Sequence, residues 1–246
     1  MEQSMIFFQK IYPLICKSMF SEKATARDVN FIEKILKLPR GAKILDLCSG
    51  QGRHAIKLAQ RGFFLFCQDT NIKLLRSAKK MASDLSVNIT TICKDMREIP
   101  FKNKFDAVIN MWSSFGYFKT TDQNLIVLKQ VSKALKPSGK FLVDLDNKEW
   151  LFRHLKKKSK YCNGQIEVNG VSQIEKEKGE IKTKLILLRN HEIFEKAELI
   201  MKYYSFEDMK SMLNSVNFRI IAAHGDFKGE RYFNKSPRMI ILSEKR

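Results

Sequence analysis

The residues best placed to do chemistry stand at the ends of three short apolar runs. Ile44-Leu45-Asp46-Leu47-Cys48-Ser49-Gly50-Gln51-Gly52-Arg53-His54 reads as a strand, a glycine turn and a helix start. Glycine at 50 and 52 lets main chain approach a ligand closely, and the helix that follows offers free N–H groups. A tight strand-to-helix connection would use the same residues. Asp69 sharpens the reading: it lies seventeen residues past Gly52, at the end of the next apolar run. A carboxylate there is placed to accept two hydrogen bonds from a ribose diol. Asp95 closes a third run. Acids ending three successive strands would share the carboxyl edge, where open α/β sheets bind ligands.

The elements that must position these acids alternate. Thr25-Ala26-Arg27-Asp28 has the pattern of a capping box, and Phe31, Ile32, Ile35, Leu36 and Leu38 follow a helical period. Strands are predicted at Lys43–Leu47, at Phe63–Cys67 running on to Asp69, at Val87–Cys93, Phe105–Met111 and Phe141–Leu145. Helices are predicted at His54–Arg61, from a Thr70 cap to Leu85, and from an Asp122 cap to Leu135. This pitch means a parallel sheet covered on both faces. After Trp150 the pattern changes. Ile166–Ile174 alternates around Asn169-Gly170, a type I′ hairpin signal. Lys178-Gly179-Glu180 suggests a second turn, and Ile181–Leu188 and Ile193–Tyr203 read as further strands. A helix at Ser205–Val216 and strands at Phe218–Ala223 and Met239–Ser243 close the chain. The expected division is a core at residues 1–150, an antiparallel β insertion at 151–204, and closing elements at 205–246.

With these motifs in place, the chain resembles the class I S-adenosylmethionine-dependent methyltransferases. I-L-D-L-C-S-G-Q-G-R-H is similar to that family's glycine loop, Q-D-T-N to its ribose-binding turn, and C-K-D-M-R to its adenine site. F-D-A-V-I-N-M-W and L-K-P-S-G-K-F-L-V-D resemble its later motifs. The dinucleotide pattern G-x-G-x-x-G is not matched, because position 55 is Ala. G-Q-G-R-H with Ser113-Ser114-Phe115-Gly116-Tyr117-Phe118 resembles a bacterial small-molecule branch, as does G-D-F-K-G-E followed by S-P-R-M-I-I-L. The likeness takes in about residues 25–150 and 203–246. Cys48 stands where the family's first glycine would be, and Ser138 at the usual second-glycine position of the later turn.

The resemblance implies a Rossmann-like seven-stranded α/β sheet, mostly parallel with an antiparallel last strand, and an antiparallel lid. It implies S-adenosylmethionine as cofactor and S-adenosylhomocysteine as product. Asp46, Cys48, Gly50 and Gly52 would line the methionine half. Arg53 would reach its carboxylate, or else sit on the surface. Asp69, with Thr70 in the same turn, would hold the ribose. Asp95 and the Met96 N–H would meet the adenine, and Asn110 and Met111 would face the donor from the other side. Tyr117 is the candidate general base, with aromatic packing as its alternative; Tyr12, His191 and Asp226 are further candidates. The leading function is methyl transfer to N, O or C of a small molecule. An RNA or tRNA methyltransferase is the second reading, and a donor-binding protein without turnover the third.

Composition bounds these readings. The chain has 246 residues and a net charge of +19, and its 44% apolar fraction and 11% aromatics exclude a disordered chain. The basic residues are 33 Lys and only 12 Arg, and the excess is spread as +11, +4 and +4 over residues 1–150, 151–210 and 211–246. A nucleic-acid partner is therefore second to a solvated basic surface. Five cysteines without C-x-x-C spacing suggest a reduced, cytoplasmic protein. No apolar run is long enough to span a bilayer. Glu2, Met5 and the residues after them make a poor signal peptide, and Ile6–Phe20 reads as a helix over the pocket, not a membrane anchor. His191-Glu192-Ile193-Phe194-Glu195 is not a zinc motif. His154 and His224 read as surface or cap histidines. Oligomeric state is left open.

Overall fold

The central strands are short apolar runs because both of their faces are covered. The computed structural model describes residues 6–246; Glu2 and Met5, used in reading the N terminus, lie outside them. β1 (Lys43–Leu47), β2 (Phe64–Asp69), β3 (Ile89–Cys93), β4 (Phe105–Asn110) and β5 (Leu135–Asp146) pair in parallel. β11 (Arg238–Lys245) is antiparallel to both β5 and β10 (Phe218–His224). The order is β10-β11-β5-β4-β1-β2-β3, the mostly parallel seven-stranded sheet expected from the sequence. Chain direction through the sheet reverses between β1 and β4, which makes the carboxyl end of β1 the ligand crevice of such a sheet.

Alternate residues of each strand feed two cores. Leu45, Leu47, Val108, Phe141 and Val143 pack with α5 (Thr121–Ala134) and α7 (Phe206–Ser215). Ile44, Leu65, Ala107, Ile109 and Leu142 pack with α2 (Glu22–Leu36), α3 (Arg53–Gln60) and α4 (Ile72–Asp84). Three helix starts differ from the sequence expectation. α2 begins a turn early, because the Ser21 side chain accepts from Ala24 N at 3.1 Å. Thr25 is thus inside the helix, and Asp28 is fully buried and not part of a capping box. α4 is capped by Asn71, which accepts from Lys73 N and Leu74 N, so Thr70 is free to face elsewhere. α5 is capped by Thr120 in a capping box with Gln123, which puts Asp122 inside the first turn. The Ser205 cap of α7, with Asp208 at the third position, is as expected.

A second, antiparallel sheet follows α6 (Lys148–His154). It is built from β6 (Lys158–Asn163), β7 (Ile166–Glu175), β8 (Glu180–Arg189) and β9 (Glu192–Lys202). The hairpin expected at Asn169-Gly170 is not there. Gly170 lies mid-strand opposite Ser159 and Leu185, where a Cβ would strike the Ser159 hydroxyl. The chain turns instead at Gly164, with φ +60°, after the other Asn-Gly pair, Asn163-Gly164. At the N terminus a π-helical turn, Phe7–Ile11, runs into α1 (Tyr12–Met19). Ile11 and Ile15 pack on Val168, Leu185 and Leu187 of the second sheet.

The two sheets meet at Gly116. Lys202 N donates to Gly116 O at 2.8 Å, and a Cβ on Gly116 would strike the Lys202 carbonyl oxygen. Gly116 also has φ +105°, a backbone state that side chains resist. Gly116→Ala is expected to destabilise the fold by more than about 1 kcal/mol, because both the conformation and the contact must give. A urea titration checks this through the unfolding midpoint; an unchanged midpoint would mean that the loop adapts at no cost.

Candidate functional site

A cavity of about 810 Å³ opens at the carboxyl edge of β1, β2 and β4, within the size range of small-molecule sites. The loop after β1 makes one end. Cys48, Gly50 and Gly52 have φ of 62°, 54° and 70°, so the chain curls tightly between the strand and α3. Gly50 has its backbone against the Tyr12 ring, where a Cβ would sit 3.5 Å away. Gly52 starts α3 without a side-chain cap, leaving the first N–H groups of the helix to other partners. One of them, Ala55 N–H, goes to the Asp46 carboxylate.

Asp46 is 2% exposed, and its Oδ2 has no hydrogen-bond partner among the described residues. Burial pushes its pKa up to about 7; Arg53 and the Ala55 N–H pull it down, while Asp69 adds to the rise. Arg53 lines the same end. Its Nη1 donates to Asp28 Oδ2 at 3.0 Å and to Thr25 Oγ1 at 3.2 Å, and its guanidinium lies 4.1 Å from the Phe20 ring centre. Arg53 Nη2 and Ser49 Oγ are buried without partners, like Asp46 Oδ2. A carboxylate and a guanidinium with unused capacity suit the ammonium and carboxylate of a zwitterionic amino acid.

Asp69 ends β2 and is partly buried. Its Oδ2 accepts from Gly50 N and its Oδ1 from Asn71 N, both at 2.9 Å, and each oxygen keeps a further lone pair. Burial raises its pKa against the pull of these N–H groups. Thr70 lines the cavity beside it. Asp95 also lines it, but its carboxylate is forked onto Arg97 through Nε at 3.0 Å and Nη2 at 2.9 Å. Cys48, Met96 and Met111 line the cavity, whereas Gly50, Gly52 and Asn110 do not. The Asn110 amide donates to Leu47 O, at the end of β1, at 3.0 Å and to Ser114 O at 3.4 Å, and so ties the strand end to the loop after β4.

The other end is aromatic. Tyr117 packs edge-on against Phe8, ring centres 4.6 Å apart. Burial above all pushes its phenol well above the ordinary value. Tyr12 lines the cavity and is shifted in the same direction by burial. His191 does not reach the site: it is 89% exposed in the β8–β9 turn. Asp226 accepts from the N–H groups of Lys228, Gly229 and Glu230, and so shapes its own loop. His154 Nδ1 lies 2.8 Å from Trp150 O, at the end of α6, and His224 Nδ1 lies 3.0 Å from Gly229 O.

Three residues of the cavity wall, Asp146, Tyr203 and Arg238, and the fully buried Asp144 behind them escaped the sequence reading of the site. Arg238 Nε and Nη2 bond Asp144, its Nη1 bonds Asp146, and Asp146 also accepts from Ser113 Oγ at 2.8 Å. The signal was present. Asp144 and Asp146 end the fifth strand as Asp46, Asp69 and Asp95 stand at the ends of the first three.

The comparisons agree with this geometry. Residues 44–139 match the family described as methyltransferase domain. The chain is 27% identical over 214 residues to YqeM of Bacillus subtilis, spanning 85% of this chain and 86% of that protein. It is 24% identical over 218 residues to the glycine/sarcosine N-methyltransferase of Aphanothece halophytica, spanning 86% and 78%. In fold it matches an S-adenosylmethionine-dependent methyltransferase of Clostridium acetobutylicum, with TM-score 0.79, 19% identity and 96% of each chain covered. The chain is an enzyme that carries a methyltransferase domain at residues 44–139. The zwitterion-shaped end at Asp46 and Arg53 fits the methionine part of S-adenosylmethionine. No helix among the described residues is long and apolar enough to cross a membrane.

The raised Asp46 pKa has a consequence for stability. Between the unfolded value, about 3.9, and the folded value of about 7, the native state holds a proton that the unfolded chain has lost. Asp46 therefore makes the ligand-free protein less stable as pH rises through that window. Urea unfolding of wild type and Asp46→Asn at pH 5 and pH 8 measures this. The variant is expected to gain stability relative to wild type at pH 8 over pH 5. A constant difference would mean that Asp46 titrates normally.

Proposed function

We propose that this enzyme methylates a small molecule, at N, O or C, inside the cavity between the β1 loop and the second sheet. The observation that carries the reading is enclosure. Phe8 and Tyr12 of the N-terminal segment and Leu199, Met201 and Tyr203 near the end of the second sheet line the same cavity as Asp46 and Asp69. Such an enclosure suits an acceptor small enough to be covered. Similarity over most of the chain to a glycine/sarcosine N-methyltransferase supports the same class of acceptor.

In this reading Asp46 and Arg53 hold the ammonium and carboxylate of the donor. Asp69, beside Thr70, takes the ribose hydroxyls, and Asp95 with the Met96 N–H takes the adenine. Cys48 and Met111 pack around the donor, while Gly50, Gly52 and Asn110 shape the loops that hold it. S-adenosylmethionine, when bound, supplies a methyl group already activated on a sulfonium. The protein's work is then alignment of the acceptor and exclusion of water, and alignment alone is worth roughly 7–11 kcal/mol of barrier. The 151–204 insertion and the N-terminal segment act as the cover. Tyr117 orients the acceptor through its protonated hydroxyl and takes no proton from it.

Calorimetry is expected to show binding of S-adenosylhomocysteine, weakened at least tenfold in Asp69→Ala, since a charge-assisted hydrogen bond is worth about 1.5–3 kcal/mol. No binding by wild type at millimolar ligand would overturn the donor assignment. Labelled S-adenosylmethionine offered with pools of small amines, phenols and carbon acids is expected to label one pool. Labelling of RNA instead would replace this reading with a nucleic-acid acceptor.

On the acceptor so found, Tyr117→Phe is expected to lower kcat about 10²-fold, the cost of a displaced reactant, with donor affinity kept. A change of less than a few-fold would make Tyr117 a packing residue.

A further inference from the structure

Resting on the methyl-transfer reading, we propose that the far end of the cavity is an ammonium subsite, with Asp146 as counter-ion and Phe8, Tyr117 and Tyr203 as walls, and that the acceptor is therefore an amine. The charge count at this end supports it. Asp144 and Asp146 face a single guanidinium, that of Arg238. Asp144 is fully buried behind Trp112, whose backbone N–H it accepts at 2.9 Å. Asp146 has a side chain 31% exposed and lines the cavity. Burial raises the Asp144 pKa against the pull of Arg238, and the acid that meets the cavity is Asp146. Arg238 is not available to an anion: all three of its nitrogens are engaged by Asp144, Asp146 and Ser113. The other cations of the wall, Arg53, Lys57 and Lys94, belong to α3 and the end of β3, on the donor side.

The remaining wall is what an organic cation prefers. Aromatic faces attract ammonium groups through their quadrupoles, most strongly where water is excluded. Tyr117 and Phe8 meet edge to face at 4.6 Å. Phe8, Tyr117, Tyr203 and Asp146 line the one cavity together. A carboxylate in a cavity lined by such rings selects a positive charge over an isosteric neutral group and repels a carboxylate. Methylation leaves that charge in place. The arriving ammonium gives up one proton to solvent; its lone pair forms the N–C bond as the S–C bond breaks, and that bond's electron pair stays on sulfur. The product is a methylated ammonium of the same net charge, together with S-adenosylhomocysteine.

The test uses the full chain saturated with S-adenosylhomocysteine and two probes of one shape: choline and its uncharged carbon isostere, 3,3-dimethylbutan-1-ol. Calorimetry at pH 7.5 is expected to show choline bound at least tenfold more tightly. Asp146→Asn is expected to bring the ratio below about threefold while S-adenosylhomocysteine affinity stays within threefold. Tyr203→Leu, which leaves the Arg238 pairs intact, is expected to weaken choline at least threefold. Equal binding of the two probes by wild type, tighter binding of acetate than of choline, or a preference that survives Asp146→Asn would each overturn the subsite. Should S-adenosylhomocysteine itself fail to bind wild type, the donor reading falls. Should it bind without any cation preference, only the amine inference falls.

Discussion

Asp28 is a carboxylate with no exposure to water, and the arrangement of the cavity depends on how that charge is satisfied. An isolated buried charge costs several kcal/mol, and only paired, hydrogen-bonded geometry offsets it. Asp28 takes donors from three segments: Arg27 on its own helix, Arg53 and His54 at the start of α3, and the indole N–H of Trp112 after β4 at 2.7 Å. Burial alone would raise its pKa, but the hydrogen bonds outweigh it and hold the group well below the usual carboxylate range. His54 is pushed down to about 4, chiefly by burial, and so donates as a neutral ring at pH 7. One ion thus fixes the helix that carries Arg53 and the loop that carries Ser113 and Tyr117.

A second buried carboxylate, Asp144, grips the same tryptophan from the other side. Trp112 and Ser113 both have positive φ, 57° and 56°, a state that non-glycine residues leave unless the surroundings hold them. Asp144 provides the hold: its carboxylate accepts Trp112 N–H and its main-chain carbonyl accepts Ser113 N–H at 2.8 Å. The indole lies between two guanidiniums, with Arg53 at 5.1 Å and Arg238 at 5.4 Å from its ring centre. Both guanidiniums are tied to buried acids, so the ring sees fixed charges and not mobile ones. The turn after β4 is strained locally and stabilised by charges distant in sequence.

That difference in range explains what could be read from sequence. The strands, most of the helices and the acids ending the first three strands follow from periods and turn residues a few positions apart, whereas the antiparallel last strand came only with the family resemblance. Asp28 was legible only as a capping-box residue, because the capping pattern is local while its partners Arg53, His54 and Trp112 are 25, 26 and 84 residues away. Arg238 and Asp146 are 92 residues apart, and no local pattern joins them. The Asn-Gly error has the same root: two such pairs lie six residues apart, and β8 pairing with the whole of β7 decides which one can turn. The resemblance placed Asn110 beside the donor; the carbonyl partners of its amide, Leu47 at the end of β1 and Ser114 after β4, could not be read from sequence.

The N-terminal segment links the two ends of the cavity into one enclosure. Asn71, which caps the helix after the Asp69 turn, also donates to Phe8 O at 2.9 Å, and Gln9 donates to Thr70 O at 3.0 Å. On its other side Lys10 pairs with Glu195 of β9 at 3.1 Å, a bond between partly exposed groups that contributes little by itself. Ile11 and Ile15 supply the larger contact with the second sheet through burial. Phe8, which packs on Tyr117 at the aromatic end, is therefore built directly onto the residues beside Asp69. The covering of one end cannot be arranged independently of the other, because the same few residues of chain carry both. An acceptor against Phe8 and Tyr117 and a donor against Asp69 and Thr70 would thus bear on the same short segment from its two ends.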